Sequence, residues 1–146
     1  MTHFVENEQA GLALGAQIAR TLCAGDVIAL RGDLGAGKTT LARGIIQALL
    51  GEVEVPSPTY TLIQSYEMPE FELWHCDLYR LEHPEDILEL GLLEAMETCA
   101  VLLEWPERMG HYLPITCKSI DIKFKGTGRE ICLSGWASEV IESLHV

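Results

Sequence analysis

The sequence predicts an α/β fold of three layers, a mixed and mostly parallel sheet flanked by helices, in one domain spanning 1–146. Three observations carry that prediction. A short apolar run, Val27-Ile28-Ala29-Leu30, leads into a glycine-rich segment and then into a helical pattern from Thr39 to Leu50. A second apolar run, Ala100 to Leu103, ends on the acid Glu104. Around these, strand-like and helix-like stretches alternate, and unbroken apolar runs of this length suit strands covered on both faces. With 146 residues, 48% of them apolar, the chain is long enough for one real core.

The elements follow in order. Residues 7–22 place Leu12, Leu14, Ile18, Ala19 and Leu22 close to a helical period, with Asn7 as the cap and Ala24-Gly25-Asp26 as the terminator. The helix after the glycine-rich segment ends at Gly51. Pro56-Ser57-Pro58-Thr59 predicts a loop, since two prolines remove donors and bias their neighbours away from helix. Tyr60 to Tyr66 alternates weakly, as a strand would. Phe71 to Leu78 predicts another strand, with Phe71, Leu73, His75, Asp77 and Tyr79 on one face. Pro84, followed by Glu85 and Asp86, predicts a helix start. Its apolar face holds Ile87, Leu88, Leu90 and Leu93, with a bend at Gly91. Past Pro114, Ile120, Ile122 and Phe124 alternate, Gly126-Thr127-Gly128 turns, and Ile131 and Leu133 resume, which is a hairpin pattern. The last stretch to Val146 predicts a short helix.

The net charge of −12, from 22 acidic and 10 basic residues, argues against a chain that grips nucleic acid alone, because phosphate contacts need clustered Lys and Arg. Five scattered cysteines (Cys23, Cys76, Cys99, Cys117, Cys132) form no C-x-x-C pair, so neither a zinc site nor a disulfide framework is expected. They read as small buried residues in a reducing compartment. The N-terminal residues have no basic stretch followed by an apolar segment, and no apolar run reaches membrane length. A cytoplasmic protein is the expectation.

Gly32-Asp33-Leu34-Gly35-Ala36-Gly37-Lys38-Thr39 matches G-x-x-x-x-G-K-[ST] in full, between a strand and a helix. Glycines let the backbone curl so that successive N–H groups converge on phosphate oxygens, and the helix N-terminus adds its dipole. The segment is a P-loop: Asp33 to Thr40 line the phosphates, Lys38 reaches the β- and γ-phosphates, and the Thr39 hydroxyl ligates Mg²⁺. Such a site needs a further carboxylate, commonly at the end of a neighbouring buried strand. Glu104 and Asp77 both qualify. Glu104 ends the better strand, and Asp77 is a candidate to orient or deprotonate the attacking water. Thr59, in its proline-flanked loop, is a candidate switch threonine sensing the γ-phosphate. His75 makes no metal set and reads as a packed strand histidine. Trp105 suits either the core or a cover over the nucleotide.

These residues together resemble the TsaE (YjeE) family, ATPases of tRNA threonylcarbamoyladenosine synthesis. The likeness rests on Gly32 to Thr40, Ser57-Pro58-Thr59-Tyr60-Thr61-Leu62, His75-Cys76-Asp77-Leu78-Tyr79-Arg80-Leu81 and Leu103-Glu104-Trp105-Pro106-Glu107. The last three blocks are far more specific than the P-loop alone. The resemblance implies slow ATP hydrolysis and association with TsaD and TsaB homologues in modifying position 37 of tRNA. By position it implies that Lys38 and Thr39 bind phosphate and Mg²⁺, that Glu104 is the metal carboxylate and that Asp77 supports hydrolysis. It sets Thr59 in a switch-like loop and Arg129 near the nucleotide. Where family members often carry a threonine early in the first helix, this chain has Gly11, and the part past Pro114 matches only loosely. The acidic charge leaves tRNA to be held by other subunits.

Two other uses of the same motif compete. A small-molecule kinase needs an Arg-bearing lid, yet Arg20, Arg31, Arg43, Arg80, Arg108 and Arg129 are isolated in the sequence. A nucleotide-gated binding module without useful hydrolysis would use the same residues, and sequence separates it poorly from an ATPase.

Overall fold

Asn7 opens the first helix, α1 (Glu8–Ala19), its side-chain oxygen accepting from the Ala10 amide at 2.9 Å. In this computed structural model, which describes residues 2–51, 55 and 62–144, α1 lies against α2 (Lys38–Leu50). Two glycines permit the contact. A Cβ on Gly15 would stand 2.7 Å from the Leu41 carbonyl oxygen, and one on Gly44 2.7 Å from that of Leu12. Only residues without a side chain let these backbones approach so closely. α2 stops at Gly51, whose φ of 86° lies in the left-handed region.

Seven strands form one sheet: β1 (Thr2–Val5), β2 (Val27–Gly32), β3 (Ile63–Glu67), β4 (Glu72–Asp77), β5 (Ala100–Glu104), β6 (Lys118–Lys125) and β7 (Gly128–Ser134). Their order is β1-β7-β6-β2-β5-β4-β3. The four central strands, β6-β2-β5-β4, pair in parallel, whereas β3, β7 and β1 pair antiparallel at the margins. The burial of the centre follows from composition. Ile28, Ala29, Leu30, Leu102 and Leu103 are fully buried, because both sheet faces are covered there. One face packs Leu14, Ile18, Leu41, Ile45 and Ile46 of the two helices. The other packs Ile87, Leu92, Met96 and Met109 from α3 (Leu92–Thr98) and two 3₁₀ segments, Pro84–Leu88 and Pro106–Tyr112. The three layers of the sequence prediction are present, with α4 (Ser138–Glu142) as the predicted final helix.

Four local features differ from expectation. Of the cysteines, expected to be buried, only Cys76 is; Cys99 and Cys117 are half-buried, and Cys23 and Cys132 are exposed. β1 has no strong signal in the sequence, being four residues long, and its order comes from pairing with β7. The helix expected from Pro84 is instead a 3₁₀ turn followed by α3, separated by Gly91 at φ 73°. That break resets the helical phase, so Leu88 is exposed and Leu92, not part of the expected face, is fully buried. The hairpin forms as expected, but Phe124 is exposed, with the Arg129 guanidinium 4.3 Å from its ring centroid. The predicted loop at Pro56 to Thr59 lies outside the described residues, and the strand expected from Tyr60 is described from Ile63.

Candidate active site

The loop from Gly32 to Lys38 leaves the C-terminal end of β2, a central strand flanked by β6 and β5, the position at which parallel sheets collect ligands. Gly35 and Gly37 have φ of 80° and 114°. A Cβ on either would meet no described residue within 4 Å, so conformation rather than crowding demands glycine. Gly32 is crowded, with a Cβ there 2.8 Å from the Ile122 carbonyl oxygen. The Ala36 amide donates to the Asp33 carbonyl at 3.0 Å, tightening the turn. Asp33 and Leu34 form the exposed tip.

Lys38 is buried beneath this loop. Its ammonium donates to the Gly32 carbonyl at 2.5 Å and lies 3.6 Å from the Trp105 ring centroid. Burial holds its pKa below the ordinary lysine value, against the opposing pull of Glu104, Glu107, Asp77 and Asp33. Trp105, at φ 60°, turns out of β5 and stacks beside Tyr79 at 4.9 Å between centroids. Trp105 is half-buried: it packs against the core on that side of the sheet and also sets its ring against the Lys38 ammonium.

The Thr39 hydroxyl, in the first turn of α2, donates to the Glu104 carboxylate at 3.0 and 3.3 Å. Sheet register explains the meeting. Glu104 is paired with Leu30 of β2 on one side and with Asp77 of β4 on the other, so both candidate carboxylates stand side by side at the C-terminal ends of adjacent strands. Both are buried, and the Asp77 Oδ1 accepts from the Tyr79 amide at 3.0 Å. Arg129 of β7 reaches the loop from the opposite side. Its Nε donates to the Ala36 carbonyl at 2.9 Å and a terminal nitrogen donates to its neighbour Gly128 at 2.9 Å. A cavity of about 200 Å³ opens beside it, lined by Asn7, Gly11, Gly35, Gly37, Thr40 and Arg129 among others.

The structure therefore gathers Lys38, Thr39, Thr40, Glu104, Asp77 and Arg129 around the loop, while Thr59 lies outside the described residues. His75 is the packed strand histidine that the sequence suggests, but sequence reasoning missed its partner. Its Nε2 is 2.6 Å from Glu104 Oε2, with the ring fully buried. The available signal was its place two residues before Asp77 on one strand face.

Among the described residues no cluster of three His, Cys, Asp or Glu side chains has a metal-holding arrangement. One hydroxyl and one carboxylate, beside an open loop of backbone N–H groups, do not make a zinc site. They fit Mg²⁺, which keeps several waters and takes the rest of its ligands from phosphate.

The model of a family described as threonylcarbamoyl adenosine biosynthesis protein TsaE matches residues 5–131. The chain is 43% identical over 115 residues to the tRNA threonylcarbamoyladenosine biosynthesis protein TsaE of Rickettsia bellii, covering 78% of this chain and 80% of that protein. It is 42% identical over 130 residues to the protein of that name from Nostoc sp., covering 86% and 79%. Among solved structures, that of Bacillus subtilis YdiB superposes with a TM-score of 0.80 at 30% identity, covering 99% of this chain and 93% of that one.

Proposed function

The chain belongs to the TsaE family of threonylcarbamoyl adenosine biosynthesis proteins, and from that membership we propose that it is a slow, Mg²⁺-dependent ATPase serving tRNA threonylcarbamoyladenosine synthesis. The observation that carries the reading is the Thr39–Glu104 pair at the mouth of the loop, next to the buried Lys38. Lys38 donates to the β- and γ-phosphates in place of the Gly32 carbonyl it holds in this structure. The backbone N–H groups from Asp33 to Thr40 cradle the phosphate oxygens, and Arg129 keeps that cradle shaped by holding Ala36. Thr39 and Glu104 hold Mg²⁺, which when bound neutralises phosphate charge. Asp77, beside Glu104 across the sheet, orients or deprotonates the attacking water, with Thr59 as the residue sensing the γ-phosphate.

The partners of this reading are TsaD and TsaB homologues, which hold the tRNA while this acidic subunit resets or gates the assembly. A net charge of −12 is repelled by RNA, so strong direct tRNA binding is not expected. No described helix is long and apolar enough to cross a membrane, in keeping with a cytoplasmic setting. Three of the six arginines are engaged away from a lid-like role: Arg31 pairs with Glu107, Arg43 with Glu8, and Arg129 holds the loop. The deciding experiment is ATP turnover measured alone and with the partner pair. Stimulation is expected, and unchanged turnover would defeat the proposal. Asp77→Asn then separates gating from catalysis: nucleotide still binds, hydrolysis stops, and modification by the assembly ceases after few turnovers. Continued modification would leave the chain a nucleotide-gated module without needed hydrolysis.

A further inference from the structure

One buried polar contact beside the loop has no role in the reading above, that of His75. His75 is fully buried on β4, two residues before Asp77, and its Nε2 lies 2.6 Å from Glu104 Oε2. The register explains the contact: His75 faces Leu102, and Glu104 is the next residue along β5 on the same face, a diagonal neighbour. Both groups are almost wholly removed from water, with side-chain exposures of 0% and 3%. The remaining ring nitrogen, Nδ1, is buried and has no hydrogen-bond partner among the described residues.

The partners assign the protons. A carboxylate only accepts, so the hydrogen of the imidazole sits on Nε2 and is given to Glu104. Among the described residues the side chain of His75 has one polar contact, the carboxylate that also receives the Thr39 hydroxyl at 3.0 and 3.3 Å.

We propose that His75 is a positioning residue that fixes Glu104 for the divalent cation accompanying the nucleotide. This rests on the reading of Thr39 and Glu104 as the Mg²⁺-bearing pair. Glu104 is the terminal residue of its strand, and the chain turns away at once through Trp105 at φ 60°. The hydrogen bond from His75 pins Oε2 toward β4. Oε1 is left as the closer acceptor of the Thr39 hydroxyl and the oxygen directed at the mouth of the loop. Without the imidazole, the carboxylate keeps Thr39 as its partner but loses the contact that sets its rotation. Partners that orient a metal ligand in this way typically change metal affinity by roughly 10- to 100-fold when removed.

Two variants and one probe test the inference. His75→Leu removes the donor and keeps the ring's apolar volume approximately. His75→Gln supplies an amide N–H where Nε2 stands. A fluorescent ADP analogue is titrated at fixed Mg²⁺ concentrations and with chelator, and thermal melting confirms that each variant is folded. The wild type is expected to bind the nucleotide more tightly with Mg²⁺. His75→Leu should need about tenfold or more Mg²⁺ for half-saturation while its affinity in chelator is unchanged, and His75→Gln should fall within about threefold of wild type. If His75→Leu keeps the wild-type Mg²⁺ requirement, or if both variants are equally impaired, the inference is overturned. If His75→Leu does not fold, a His75→Gln protein that needs as much extra Mg²⁺ as was expected of the leucine variant overturns it too. A wild type whose nucleotide binding ignores Mg²⁺ instead defeats the reading of Thr39 and Glu104 on which the inference stands.

Discussion

Replacing Lys38 by Met separates binding from stability more sharply than any other single change. The ammonium donates to Gly32 at 2.5 Å and lies 3.6 Å from the Trp105 ring centroid. Losing a charge-assisted hydrogen bond removes about 1.5–3 kcal/mol, and losing a desolvated cation–π contact removes about 2 kcal/mol. Opposing both is the release of a buried charge, whose desolvation penalty is itself several kcal/mol. These nearly cancel, so the folded state should change by no more than about 2 kcal/mol in either direction. Nucleotide binding has no such compensation. Two charge-assisted bonds to phosphate oxygens at about 1.5–3 kcal/mol each predict a loss of roughly 10²- to 10⁴-fold in Kd. Titration calorimetry with a non-hydrolysable ATP analogue and Mg²⁺ measures the first quantity, and urea unfolding the second. A Kd within threefold of wild type would refute the assignment of the loop as a phosphate site. The pH dependence supplies an independent sign. Burial lowers the folded-state pKa of Lys38, so between that value and the ordinary lysine value the unfolded chain binds the extra proton. Wild-type stability should therefore gain a contribution as pH rises through that window, and Lys38→Met should lack it.

Glu104→Gln keeps the shape of the carboxylate but presents an amide N–H₂ to one of two donors, Thr39 or His75. The fold should lose about 1–3 kcal/mol from the mismatched buried group, with loss of the Mg²⁺-dependent part of nucleotide affinity; unchanged melting and unchanged Mg²⁺ dependence would contradict the geometry. Arg129→Ala frees the Ala36 carbonyl and should weaken nucleotide binding about tenfold, the equivalent of a bond of about 1.4 kcal/mol, with little change in thermal melting. Wild-type affinity in that variant would remove Arg129 from the site. Gly44→Ala sets helix propensity against packing. An exposed helical glycine gains about 1 kcal/mol on such a change, but here the new Cβ meets the Leu12 carbonyl oxygen at 2.7 Å. Net destabilisation of about 1–3 kcal/mol is expected, and a melting temperature above wild type would show that the helices simply move apart.

The sequence alone determined the parts of this protein that depend on neighbours along the chain. A run of apolar residues, then glycines whose φ must be positive, then Lys38 and Thr39 at a helix start, can be read locally because each constraint acts within a few residues. The caps at Asn7 and Gly51 and the turn at Gly126 are legible for the same reason. Tertiary structure decided what depends on strands far apart in sequence. β4 and β5 lie side by side, so Asp77 stands next to Glu104 and His75 reaches the same carboxylate, a contact spanning 29 residues that no spacing rule announces. β1 exists only because β7 offers it an edge, and Leu92 enters the core only because the turn at Gly91 rotates the helix that follows. Likewise, Trp105 could be core or cover on sequence grounds. The left-handed turn after β5 lets it pack against the core while its ring meets the Lys38 ammonium. The glycine-rich loop is written in consecutive residues; the meeting of Thr39, His75 and Asp77 with Glu104 is set by pairing across the sheet.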